Sequence, residues 1–106
     1  MKKGMVLVAA VALTGLAAGS AFAADAVEHG KEVFAAQKCS MCHSIAGKGN
    51  AKNVLDGVGA KLKADAIKKW IKTPKEMKAD AKMKAYPNLA DKDLEDLTAY
   101  LLTLKK

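Results

Sequence analysis

The segment Cys39-Ser40-Met41-Cys42-His43 holds both cysteines of this 106-residue chain and one of its two histidines. Two thiols three positions apart lie on one side of a helical turn, where they can add to the two vinyl groups of one porphyrin. The adjoining imidazole then falls beneath the iron. Cys-x-x-Cys-His is the spacing of covalent haem attachment. A dithiol redox pair has no use for the histidine and starts a helix after a buried strand, and no stretch here reads as such a strand. A zinc site could recruit Cys39, Cys42, His43 and His29, but these lack the second spaced ligand pair of structural zinc modules. A disulfide between Cys39 and Cys42 would close only a tiny loop and stabilise little.

The elements that must carry this turn are helical in pattern. A first helix fits Asp25 to about Lys38, with Val27, Gly30, Val33 and Phe34 near one stripe and Asp25 and Glu28 at its positive end. Ser44 to Ala60 carries four glycines and reads as irregular loop. A short helix fits Ala64 to Lys72, stopped by Thr73-Pro74. The last helix is the clearest: Leu94, Leu97, Leu101 and Leu104 recur at spacings of three and four, Ala90 or Asp91 marks the start, and Lys105 and Lys106 complement the dipole at the end. Gly30 removes a side chain where the first and last helices could approach, and Phe34 could meet Tyr100 or Leu101 there. His29, beside that stripe, reads as an exposed surface residue.

The N-terminus reads as a secretory signal over residues 1–23: Lys2 and Lys3, an apolar run from Met5 to about Ala18, then Ala21-Phe22-Ala23 as the cleavage site. The plainer alternative is an uncleaved anchor, but the Ala and Gly content of the run makes it weakly hydrophobic. The expected mature chain, 24–106, is one small domain. A chain this short commonly needs a staple, and haem would be it.

There is no arginine, and the formal net charge is +7. Residues 61–84 hold nine lysines against Asp65, Glu76 and Asp80. Nucleic acid is a poor partner for a chain without Arg forks or many stacking aromatics. An acidic protein or anionic surface fits better, and a solvated lysine face with no specific partner is the bland alternative.

With these residues in view, the chain resembles the small single-haem class I c-type cytochromes from about Asp25 to Lys106. The likeness rests on Gly30 and Phe34, on Cys39 to His43, on Val54-Leu55-Asp56-Gly57-Val58-Gly59 as a leucine-glycine loop, and on Met83-Lys84-Ala85-Tyr86 before a helix ending Ala99-Tyr100-Leu101. The resemblance implies an all-α fold of about four short helices around one haem c, covalently held through Cys39 and Cys42, with the N- and C-terminal helices crossing. It implies one-electron transfer without substrate chemistry, and it gives the iron His43 and Met83 as ligands. Met77 is the alternative if the loop is read in a shifted register, and Met41 should point away. Trp70 would pack near the haem edge or in the core, and Tyr86 and Leu89 would help wall the cleft. Lys84 stands where the family commonly has proline after its ligand methionine, and Asn53 where it commonly has proline before the leucine-glycine loop.

The expected protein is therefore an exported monomer, periplasmic or in a thylakoid lumen, without stable membrane insertion once the signal is cleaved. It would exchange electrons with redox proteins that dock through acidic surfaces. The rival expectations are a haem enzyme or ligand sensor with a displaceable sixth ligand, and a cytochrome subunit of a larger oxidoreductase.

Overall fold

The structure, a computed structural model, describes residues 24–106, so the expected signal segment 1–23 lies outside the described residues. Helix α1 covers residues 24–36. It ends as the chain enters the left-handed region at Lys38, φ 59°, a conformation that costs a non-glycine residue about 1 kcal/mol or more. That reversal delivers the chain into a 3-10 turn over Cys39–Met41, closed by the N–H groups of Cys42 and His43 on the Cys39 carbonyl.

Where an irregular loop was expected after His43, the chain forms two short elements. Strands β1, Ser44–Ile45, and β2, Lys48–Gly49, pair antiparallel with Ser44 opposite Gly49 and Ile45 opposite Lys48. The two residues between them, Ala46 and Gly47, both have positive φ, the geometry of a twisted two-residue hairpin turn. The Ala46 N–H donates to the Asp56 carboxylate at 2.8 Å, which helps offset the strain at a residue with a Cβ. Helix α2 is one turn, Val58–Lys61. Glycine density hid the hairpin and this single turn, each too short to show a periodic pattern of apolar residues.

Helix α3, Ala64–Lys72, buries Ile67 and Ile71, four residues apart on one face. It stops at Thr73, as the following proline requires, and that buried Pro74 opens helix α4, Pro74–Met77, at the position where its missing N–H has no cost. Helix α5, Asp91–Leu102, buries Leu94, Leu97 and Leu101. Lys105 and Lys106 lie beyond its end, not in its last turn.

Val33, Ile67, Ile71, Leu94, Leu97 and Leu101 form the core, drawn from α1, α3 and α5. At the crossing of α1 and α5, a Cβ on Gly30 would run into the Asp96 carbonyl and the Tyr100 Cβ, so only glycine lets these backbones come so close. Phe34 meets Tyr100 edge to face, with ring centroids 6.1 Å apart and planes at 79°. The expected crossing of first and last helices is thus present in both of its parts. No helix among the described residues is long and apolar enough to cross a membrane.

Candidate functional site

The core does not close completely. A cavity of about 700 Å³ opens between the attachment turn, α3, α5 and the loop after α4. Cys39, Cys42 and His43 line it from the turn, and Asn53, Leu55 and Val58 from the segment that follows. Ile67, Trp70 and Ile71 of α3 and Leu97 and Leu101 of α5 give it an apolar floor, and Lys78, Lys82 and Met83 bring in the loop. Its size is that of a pocket for a large organic cofactor. The helices thus leave a slot whose rim carries two thiols, an imidazole and a thioether.

Both cysteines are free thiols. Burial raises the pKa of the Cys39 thiol, so Cys39 stays protonated at neutral pH. His43 is held through one ring nitrogen: Nδ1 donates to the Asn53 carbonyl at 3.3 Å, at the long end for such a bond. A carbonyl can only accept, so the proton sits on Nδ1 and the Nε2 lone pair is available to a metal. Asn53, which stands where the family commonly has proline, thus offers its backbone carbonyl to the His43 ring.

Met83 reaches the cavity and Met77 does not; Met77 instead borders a groove beside α3 with Lys69, Lys72 and Thr73. Met41 is 69 % exposed and points away. Trp70 lines the cavity, whereas Tyr86 and Leu89 pack on the core cluster without lining it, contrary to expectation. Tyr86 has a different task. Its N–H donates to the Ile71 carbonyl at 2.9 Å and its hydroxyl to the Gln37 carbonyl at 3.0 Å, tying the Met83 loop to α3 and to the end of α1. The Lys84 ammonium lies 5.3 Å from the Tyr86 ring centre, so the residue that replaces a proline still contacts the anchor of its loop.

His29 is not with the other candidate ligands. It is half-buried on α1 and donates from Nδ1 to the Asp96 carboxylate of α5 at 2.7 Å, with Asp93 at 3.5 Å from Nε2. Among the described residues no three of His, Cys, Asp and Glu gather as a metal site, so the zinc alternative loses its fourth ligand. Sequence reading missed this contact because a histidine at a helix face carries no mark of its distant partner. It also missed Asn50, whose N–H and side-chain amide reach back to the carbonyls of Ser40, Met41 and His43.

A helical protein with an apolar cleft edged by two free thiols, a metal-ready imidazole and a thioether has the donor set that covalent haem attachment needs. The chain matches the family model "Cytochrome c" over residues 27–105, and it belongs to that family, whose cofactor is covalently bound haem c. It is also 31 % identical over 86 residues to "Cytochrome c oxidase subunit 2" of Alkalihalophilus pseudofirmus, an alignment covering 72 % of this chain and 25 % of that protein. The chain thus spans about a quarter of that relative's length. No solved structure matches the chain significantly.

Proposed function

We propose that this protein is a one-electron carrier holding a single haem c through Cys39 and Cys42, with His43 and Met83 as the iron ligands. Bound there, the haem supplies reversible Fe(III)/Fe(II) exchange. The observation that carries the reading is that Met83 shares one cavity with Cys39, Cys42 and His43, while Met77 and Met41 do not. A thioether ligand raises the potential relative to a second imidazole and occupies the position an exogenous ligand would need. The chain's own part is to hold its ligands still. Tyr86 anchors the Met83 loop at two carbonyls, and the apolar floor keeps water from the cleft.

Residues 1–23 act, in this reading, as a cleaved export signal, and the protein works outside the cytoplasm, in the periplasm or a thylakoid lumen. It is a monomer that meets acidic redox partners through its lysines: Lys61, Lys78 and Lys82 stand at the cavity itself. The likeness to part of a cytochrome c oxidase subunit favours one second reading, that the chain serves as a cytochrome subunit of a larger oxidoreductase.

Visible spectra of oxidised and reduced protein from the exported fraction test the proposal. The expected result is a haem that organic solvent cannot extract and a low-spin ferric spectrum with a thioether-to-iron band, lost in Met83→Ala together with a fall in potential. Cyanide should bind slowly to the unsubstituted protein and rapidly to Met83→Ala. A colourless protein, or a Met83→Ala variant with an unchanged spectrum, would overturn the assignment. Co-purification as a stable complex would favour the subunit reading over the free carrier.

A further inference from the structure

The carbonyls of the attachment turn are all engaged, and two asparagines account for four consecutive ones. The Asn50 N–H is shared between the Ser40 and His43 carbonyls at 3.1 Å each, and its side-chain amide donates to the Met41 carbonyl at 3.2 Å. The Asn53 side-chain amide donates to the Cys42 carbonyl at 3.0 Å. The Asn53 carbonyl accepts from the Ser44 N–H at 3.0 Å and from His43 Nδ1 at 3.3 Å. The Lys52 N–H donates to Asn50 Oδ1 at 3.0 Å, which turns the Asn50 amide nitrogen toward Met41. Gly49 makes the approach possible: its φ is +109°, and a Cβ there would strike the His43 carbonyl.

We infer that Asn50 and Asn53 are positioning residues, a brace that fixes the backbone of residues 40–44 and so the orientation of the His43 imidazole. The inference rests on the haem attachment proposed above. Asn53 touches three successive residues, Cys42, His43 and Ser44, through both its side chain and its carbonyl. A proline at this position would stiffen the segment through its fixed φ; asparagine stiffens it through the bond to Cys42. The consequence reaches the metal. An imidazole that donates from Nδ1 is a more basic ligand, which favours the ferric state, so a loosened Nδ1 contact raises the potential.

The test uses haem-loaded protein from the exported fraction, in Asn53→Ala, Asn50→Ala, Asn53→Pro and the exposed control Asn88→Ala. Solvent exchange of the His43 Nδ1 proton is followed by NMR, and the reduction potential is measured beside it. Asn53→Ala should exchange about fivefold faster or more and shift the potential upward, because one hydrogen bond that fixes the turn is gone. Asn53→Pro should restore both, and Asn88→Ala should change neither. An Asn53→Ala protein with covalent haem but unaltered exchange and potential overturns the brace. If that variant does not fold, Asn50→Ala decides in the same way, since it keeps the His43 contact itself while freeing the Met41 carbonyl. Unsubstituted protein lacking covalent haem would refute the attachment reading instead, which keeps the two failures apart.

Discussion

Asp96 is 6 % exposed, yet two side chains donate hydrogen bonds to its carboxylate: the Lys92 ammonium at 2.9 Å from one turn back and His29 Nδ1 at 2.7 Å from α1. The Lys92 hydrogen bond and then the His29 bond hold its pKa below the ordinary carboxylate value, against the opposing effect of burial. A lowered folded value means that the stabilisation is complete above the unfolded pKa of about 4 and is lost as pH falls through the lower folded value. Thermal midpoints of the unsubstituted protein and Asp96→Asn should therefore converge as pH drops from about 6 toward 2. A constant gap across that range would show that the carboxylate charge contributes nothing. The pair also ties α1 to α5 beside Gly30, so a surface-looking histidine helps to seat the main crossing.

At the scale of elements, the crossing of α1 and α5 is the contact on which the cavity depends. Leu97 and Leu101 of α5 and Phe34 of α1 all line the slot, so any spreading of the two helices opens it. Gly30→Val places a branched side chain against the Asp96 carbonyl and should cost about 3 kcal/mol or more, well beyond a usual surface change. Reduced yield of haem-loaded protein and a lower melting temperature are the readouts; near-normal stability would mean that the helices can slide without penalty. The hairpin β1–β2 works on a smaller span. It folds the chain back so that Asn50 lies under the attachment turn, and it accepts a strained Ala46 to do so.

For the whole molecule the decisive feature is the distribution of lysine. Nine lie within residues 61–84, and among the described residues Lys68 is the one of them in an ion pair, with Glu95. Lys61, Lys78 and Lys82 stand at the cavity, so positive potential is concentrated where electrons would enter and leave. Association with an acidic redox partner should slow as ionic strength rises. Lys61→Glu, Lys78→Glu and Lys82→Glu together should reduce the low-salt rate by about tenfold or more. Stopped-flow electron transfer over a salt series measures both, and a flat salt dependence would leave the lysine face without a steering role.

The covalent spacing of Cys39, Cys42 and His43 and the stripes of α3 and α5 were legible from residue order alone, because each depends on neighbours within a turn or two. The same locality made Gly30 and Phe34 readable as one face of a helix, and of the two partners expected for Phe34, Tyr100 and Leu101, the fold sets Tyr100 edge to face with it. Tertiary structure alone decided that Met83 and not Met77 reaches the cavity, that Tyr86 anchors the loop instead of walling the cleft, and that His29 belongs to Asp96. It also decided that Asn50 and Asn53 hold the attachment turn. These contacts join residues about ten to nearly seventy positions apart. No local pattern encodes them, since only the path of the folded backbone brings such donors and acceptors within hydrogen-bonding distance.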